Sequence, residues 1–411
     1  MTQRVVITGV SGISPLGNDW ATVDAKLRSY TNAIQCMDDW SSIDRLSSTV
    51  FAPVAHFDLP KETYNRKSTR SMSRVSLMSV RTAELAMLDA GVLDQDWIHD
   101  GSVGVSYGSC AGSCDALLEI ASLDTNRSTL GINATTYVRF MSHTAPVNIA
   151  IFHQLRGRQI TTSSACTSSS QGIGYAYEAI KYGHQRAMIA GGAEEGNVAH
   201  TAIFDTLYAT STGYNNKSHL TPRPFDQARD GLVLGEGACS LFLESLESAQ
   251  ARGAKIYAEI VGFATNCDGS HITNPNKDQM ANVMRLSLKQ ANLLPSDIGY
   301  INAHGTATLQ GDIAESHAIQ AVFGNQTPVS TLKSYMGHTL GACGALEAWM
   351  TIQMMNHNWF APTINLTQPD SECAPLNYIM NEGLEKQCQY VMSNNFAFGG
   401  INTSLIFKRW N

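Results

Sequence analysis

Short apolar runs bounded by glycine, asparagine or aspartate recur along the chain: Val103–Ser106, Met188–Ala190, Glu259–Phe263 and Gly299–Ala303. Runs this short, apolar at successive positions, predict strands buried on both faces. Between them the spacing turns helical. Thr69 to Ala90 predicts a helix ended by Gly91. Ala281 to Ala291 predicts another, after which Pro295-Ser296-Asp297 restarts the chain. The opening Arg4-Val5-Val6-Ile7-Thr8-Gly9 reads as a buried strand. Near the C-terminus, Tyr390–Asn394 and Thr403–Phe407 predict two more strands, joined by a loop from Asn395 to Asn402 that carries Phe396 and Phe398. Alternation of this kind predicts an α/β fold with helices covering the sheets. No low-complexity linker or short repeat divides the chain. The best seam is Ala249-Gln250-Ala251-Arg252-Gly253, which splits it into residues 1–250 and 251–411.

Composition narrows the function classes. With 43% hydrophobic and 15% charged residues in 411, the chain can bury a large core. A net charge of −7 argues against a general nucleic-acid binder. No apolar run is long enough for a membrane span, and the first residues lack the features of a signal peptide, so a cytoplasmic location is expected. The nine cysteines are odd in number and form no Cys-x-x-Cys pair. Most of them read as small reduced core residues, with no zinc site and no other metal expected.

Three positions carry candidate chemistry. Ile160 to Ala165 reads as a strand entering a turn at Cys166, with a helix following. Backbone N–H groups at a helix start stabilise a thiolate, lower its pKa and can meet an oxyanion. His304 sits in Asn302-Ala303-His304-Gly305-Thr306, where a strand delivers it to a loop at its end. His338 precedes a run of small residues that predicts a second helix start, where a positive dipole end favours a neutral imidazole. Lys333, flanked by small residues, reads as packed. Taken singly, each also fits a bland role: a buried small cysteine, a satisfied loop histidine, a surface lysine. Gly104-Val105-Ser106-Tyr107-Gly108 fits the serine-hydrolase elbow, but the glycine-rich sequence after it makes a poor helix. The glycines around Gly172 and Gly174 do not complete a phosphate loop.

Together and in order, these motifs resemble the elongating β-ketoacyl-acyl-carrier-protein (ACP) synthases, types I and II, of the thiolase-fold superfamily. The resemblance runs from Val5-Val6-Ile7-Thr8-Gly9 to Ser404-Leu405-Ile406-Phe407. It takes in Ser164-Ala165-Cys166-Thr167-Ser168, Ala190 to Glu194, Arg223-Pro224-Phe225-Asp226, Asn302 to Thr306, Lys333 to His338 and Phe396 to Asn402. It implies two mixed-sheet halves of one topology in a five-layered αβαβα body. It implies a decarboxylative condensation of an acyl-cysteine on Cys166 with malonyl-ACP, promoted by His304 and His338, in fatty acid or polyketide synthesis. Lys333 matches the family's active-site lysine, and Glu315 the acidic residue linked with it. Phe398 matches a gating residue whose N–H joins that of Cys166 in an oxyanion hole. Thr306, Thr308 and Asp312 match supporting positions, and Ala111 and Phe204 positions along the acyl pocket. No cofactor is implied beyond the phosphopantetheine carried by ACP.

The chain departs from the family pattern at Ala397, where many relatives have glycine before the gating phenylalanine; this implies a stiffer loop. The small Ala111 implies a wider or deeper acyl pocket. The run Leu332 to Gly344 is most similar to ketosynthases of bacterial aryl polyene pathways. That implies rigid, conjugated substrates and either a homodimer or a heterodimer with a Cys-less chain-length-factor relative. Arg66, Lys67, Arg70 and Arg74 match a carrier-docking patch, with Arg127 a further candidate. Two alternatives stand beside this reading: a thiolase, and a non-catalytic chain-length-factor-like subunit.

Overall fold

The computed structural model describes residues 2–411. Ten strands build most of one sheet: β1 (Val5–Ile13), β2 (Val103–Gly108), β3 (Gln159–Thr162), β4 (Ala187–Glu194), β5 (Gly237–Ser245), β6 (Ala258–Cys267), β7 (Ile298–Asn302), β8 (Pro328–Ser330), β9 (Tyr390–Ala397) and β10 (Ile401–Arg409). A two-residue strand, Asn377–Tyr378, flanks β8. From there the order is β8-β7-β9-β10-β6-β1-β5-β4-β2-β3. Read outward from the middle, the first half runs β1-β5-β4-β2-β3 and the second β6-β10-β9-β7-β8. Both pair antiparallel, antiparallel, parallel, parallel. The two halves therefore share one topology. They meet edge to edge, β1 against β6, over only three residue pairs, Val5 with Ile260 to Ile7 with Ala258.

Seven helices matter for the site: α1 (Arg74–Asp89), α2 (Cys114–Asn126), α3 (Ser168–Lys181), α4 (Val198–Thr206), α5 (Lys277–Ala291), α6 (Leu309–Phe323) and α7 (Cys343–His357). Helices α3 and α7 touch strands of both halves and form the middle layer. Helix α1 covers the outer face of the first half, and α5 with α6 that of the second. The layers are thus αβαβα. The burial follows from the sequence: β1 is buried at every position, as is α7 from Cys343 to Met355. A helix apolar all round belongs between two sheets. Where α3 and α7 start they nearly touch: a Cβ on Gly344 would lie 2.8 Å from that of Ser170. Among the described residues no helix is long and apolar enough to cross a membrane.

Two expectations are corrected. The helix expected from Thr69 starts at Arg74. Residues before it form turns, because the Asn65 side chain accepts from the N–H groups of Lys67 and Ser68, while the Ser68 and Thr69 hydroxyls donate to its carbonyl. Such local polar bonds compete with helix formation. The loop expected over Asn395 to Asn402 shrinks to Phe398-Gly399-Gly400. The strands pair on through Phe396 with Asn402 and Ala397 with Ile401, and the turn is made by the positive φ of Gly399 (92°) and Gly400 (72°). Ala397 lies in strand, so its methyl adds no backbone strain there; it packs with Cys166 and Cys343.

Candidate active site

Beyond β3 the chain turns through Ala165, whose φ of 50° is rare for a side-chain-bearing residue. The turn is held by Ser164 N–H donating to Ser168 Oγ (2.9 Å) and by that hydroxyl donating to the Ala165 carbonyl (2.7 Å). Cys166 is thereby set just before α3, buried among protein atoms. The expected fall in its pKa does not appear. Burial pushes the thiol up to about 11, against the pull of the Lys333 charge and of the backbone N–H groups of Phe398 and Cys166 itself. Desolvation outweighs the helix start, so the resting sulfur is a neutral thiol.

The corresponding place in the second half holds His338. It follows Gly337, whose φ is 67° and where a Cβ would press on the Val233 carbonyl at 2.8 Å. The expected helix start does not follow directly. A single 3₁₀ turn, Leu340–Ala342, comes first, and α7 begins at Cys343. Burial, then the Lys333 charge, drives the pKa of His338 well below 6.5. Its Nδ1 accepts the Leu340 N–H (3.2 Å) and its Nε2 lies 3.0 Å from Cys166 Sγ. A neutral ring that accepts at Nδ1 carries its proton on Nε2. His338 therefore donates toward the sulfur.

His304 stands two residues beyond β7 and edge-on to His338, ring centroids 5.2 Å apart. Burial, then the charge of Lys333, lowers its pKa well below 6.5. Its Nδ1 lies 3.1 Å from the Lys333 ammonium and 3.4 Å from Asn395 Nδ2, both of which can only donate. The same reasoning puts its proton on Nε2. Two neutral imidazoles thus present Nε2–H donors, although their sequence contexts differ.

The partner expected for Lys333 is corrected. Its ammonium pairs with Glu347, on α7, and both side chains are fully buried. Burial opposes the ammonium, but the Glu347 carboxylate overrides it and raises the Lys333 pKa. Glu315 instead accepts the backbone N–H groups of His304 and Gly305, each at 2.7 Å, and so fixes the loop that carries the histidine. Asp312 does the same one turn earlier, accepting from Thr306 (3.0 Å), Ala307 and Phe225.

Cys166, His304 and His338 line one pocket of about 260 Å³, together with Phe204, Thr306, Thr308, Glu315 and Phe398. The rings of Phe204 and Phe398 meet at a tilt of 33°, centroids 5.5 Å apart. Ala111 does not reach this pocket. Behind it, Cys110 and Phe204 pack on a small apolar cluster of Phe51, Leu232, Leu234 and Leu340. Arg66, Lys67, Arg70 and Arg127 are exposed and none lines the pocket. Arg74 is not free for docking: Glu236 holds its guanidinium through two bonds, 2.7 and 2.8 Å. Ser106 lies mid-strand in β2, fully buried, which removes the hydrolase reading.

Sequence reasoning missed three residues. Glu347 was legible as the lone acid in α7, most of whose residues are apolar. Asn395 bridges Glu347 (2.7 Å) and His304 and gave no local signal. Glu194, the end of β4, accepts from Cys110 N–H (2.8 Å), Gly341 N–H (3.1 Å) and Ser109 Oγ (3.2 Å). It ties the turn after His338 to the first half. That turn needs the tie, because Leu340 holds a φ of 46°.

Among the described residues, two groupings place three metal-type donors within 4.8 Å: Cys166 with His304 and His338, and His304 with Cys343 and Glu347. The second is already served by the Lys333 ammonium, and in the first both Nε2 atoms hold protons.

Comparison with known proteins places this geometry. The family model for the beta-ketoacyl synthase N-terminal domain matches residues 2–249 and that for the C-terminal domain residues 257–367. A 3-oxoacyl-[acyl-carrier-protein] synthase 1 from Haemophilus influenzae is 35% identical, with all of both chains covered. A crystal structure of a beta-ketoacyl synthase from Burkholderia phymatum STM815 is 53% identical at a TM-score of 0.98 over the whole of both chains. The ishigamide ketosynthase/chain length factor is 29% identical at a TM-score of 0.89, again over both whole chains.

Proposed function

Since the chain belongs to the beta-ketoacyl synthase family, we propose that it condenses an acyl group held on Cys166 with malonyl-ACP, giving 3-oxoacyl-ACP and CO₂. The observation that carries the reading is the meeting of one thiol and two imidazole N–H donors in a single pocket. An acyl thioester enters with its carbonyl oxygen on the N–H groups of Cys166 and Phe398. The Cys166 thiol ionises in this step, its thiolate stabilised by the His338 Nε2–H; the thiolate attacks, and the proton it gave up leaves on the carrier thiol. Malonyl-ACP follows. Its thioester oxygen accepts from His304 and His338, so the negative charge left when CO₂ departs falls on two preset donors. The carbanion attacks the acyl-cysteine, and the released thiolate takes up a proton. Lys333 acts through His304, keeping its Nδ1 an acceptor.

A thiolase needs a second thiol at the reacting centre, and Cys166 is the one cysteine lining this pocket among the described residues. A purely structural subunit has no use for the preset donors. We propose a second copy, or a Cys-less chain-length-factor-like relative, as the dimer partner. Support comes from the exposed edge strand β3 and the exposed Leu117, Leu118 and Leu130 in and after α2. A relative of known structure is itself a ketosynthase/chain length factor. We propose an aryl-polyene-type pathway on the run Leu332 to Gly344, and the cytoplasm as the compartment that keeps nine free thiols reduced. The test is mass spectrometry of the purified chain with malonyl-ACP and a panel of acyl-ACPs. Products two carbons longer are expected, with conjugated enoyl chains favoured over saturated ones. No acylation of Cys166 and no elongated product would end the reading.

A further inference from the structure

We propose that Cys343 is a resolving thiol for Cys166: when hydrogen peroxide oxidises the nucleophile, Cys343 captures it as a disulfide and so makes the loss of activity reversible. The condensation above makes no use of Cys343, although it is the first residue of α7 and lies against the turn that presents Cys166. Its Sγ is 3.1 Å from the Cys166 carbonyl oxygen, to which the S–H donates. Both cysteines belong to one buried cluster closed by Ala397. Each sulfur also lies within 4.8 Å of a ring nitrogen of His304, so the two thiols approach the same imidazole. The starts of α3 and α7 are locked together here: Gly344 leaves no room for a Cβ beside Ser170, and Ala345 N–H donates to Ser169 Oγ (3.0 Å). Two cysteines 177 positions apart are thereby held as neighbours.

Access assigns the roles. Cys166 lines the pocket, whereas Cys343 does not and is fully buried. Oxidant from solvent meets Cys166 first, and Cys343 meets only what Cys166 becomes. In the first step the Cys166 thiolate attacks one peroxide oxygen and the O–O bond breaks. The departing hydroxide takes up the proton that the thiol gave up and leaves as water. The sulfur is then a sulfenic acid. In the second step the Cys343 sulfur attacks the Cys166 sulfur and the S–O bond breaks. The hydroxyl leaves as water with the Cys343 proton. Two thiols and one peroxide thus yield one disulfide and two waters. Cys343 must turn about χ1 and release the Cys166 carbonyl, since a disulfide needs its sulfurs at about 2.05 Å. Burial keeps Cys343 a neutral thiol at rest, while the Lys333 charge pulls the other way and favours the thiolate as it attacks. Cys110 is placed less well as a partner, because its side chain packs on the cluster of Phe51, Leu232, Leu234 and Leu340. Without Cys343 the sulfenic acid stays facing the pocket. A second peroxide then carries it to the sulfinic acid, which thiols do not reverse.

The test exposes the folded protein to excess hydrogen peroxide and reads mass rather than turnover, so its result does not depend on the condensation reading. Non-reducing digestion of the wild type should give one linked pair of peptides, Cys166 with Cys343, from a chain lighter by two hydrogens. Dithiothreitol should remove the link and return a free thiol at Cys166. Cys343→Ser keeps a donor for the Cys166 carbonyl but has no resolving sulfur. It should instead accumulate sulfinic acid at Cys166, and the fraction of Cys166 that dithiothreitol recovers should fall about tenfold or more. Cys110→Ser should behave as the wild type. A wild type in which Cys166 passes to sulfinic acid as fast as in Cys343→Ser overturns the proposal. So does a treated wild type whose Cys166 stays a free thiol, or one whose Cys166 is linked to Cys110 or to a second chain. If Cys343→Ser fails to fold, as its urea midpoint would show, the wild-type peptide map decides alone: a link between Cys166 and Cys343 upholds the proposal and its absence overturns it.

Discussion

Removing the Lys333 ammonium tests the centre of the site. In Lys333→Met the Glu347 carboxylate stays fully buried, held by Asn395 Nδ2 at 2.7 Å and an Asn302 contact. Breaking a buried ion pair from one side costs about 3–5 kcal/mol, because the other charge is left uncompensated. Replacing both, Lys333→Met/Glu347→Leu, removes the stranded charge. It leaves the two asparagine amides short of an acceptor, at about 1–3 kcal/mol each. Apolar replacement of buried pairs is otherwise neutral or favourable by about 1–4 kcal/mol. At mid-range values the double variant costs about 1.5 kcal/mol against about 4 for Lys333→Met, so it should recover about 2 kcal/mol. Urea denaturation of all four members of the cycle, followed by tryptophan fluorescence, measures this. Both lysine variants should still be acylated on Cys166 but lose condensation, since His304 Nδ1 then keeps only the longer Asn395 Nδ2 contact (3.4 Å) to hold it as an acceptor. A double variant no more stable than the single would refute the stranded-carboxylate argument. A Lys333→Met enzyme that condenses at the wild-type rate would refute the tautomer argument.

Three further outcomes follow from the same geometry. His338→Ala should form the acyl-enzyme yet lose condensation by about 10²-fold or more, the usual cost of one transition-state donor; intact-protein mass spectrometry and single-turnover assays separate the two steps. The unfolded chain protonates histidine near pH 6.5, whereas buried His304 and His338 stay neutral well below that. The unfolded state then binds more protons, so stability is full above about pH 7 and falls as pH drops, by about 2.7 kcal/mol per unit for the two rings. The difference in unfolding free energy between wild type and His304→Gln/His338→Gln should show this slope; buried Glu315 and Asp312, raised to about 8 and about 6, add slopes of the opposite sign that both proteins share. Glu194→Ala strands two N–H groups and a hydroxyl at a cost of about 3 kcal/mol or more, and frees the Leu340 turn. Condensation should fall more than Cys166 acylation; an equal fall in both would count against a role through His338.

The strands Val103–Ser106, Met188–Ala190, Glu259–Phe263 and Gly299–Ala303 were legible because burial on both faces favours apolar runs; the first three lie inside observed strands and the fourth overruns β7 by one residue, Ala303. The helix start at Arg74 was not, because Asn65 competes for the preceding N–H groups through bonds that leave no periodic trace. Cys166, His304 and His338 could be named from local motifs and their resemblance to a family. The match of Lys333 with Glu315 could not survive, since both Glu315 and Glu347 are buried acids and only their positions on α6 and α7 decide which meets the ammonium.

The amino-acid sequence by itself determined the α/β alternation and the residue types able to do acyl chemistry, because periodicity and glycine placement act over a few residues; the duplicated plan came only through resemblance to a family. Only the tertiary structure decided which nitrogen of each imidazole holds its proton, that Cys166 rests as a thiol, and which carboxylate faces Lys333. Those properties depend on desolvation and on donors brought from distant segments, and both arise only when the two halves close around the middle helices.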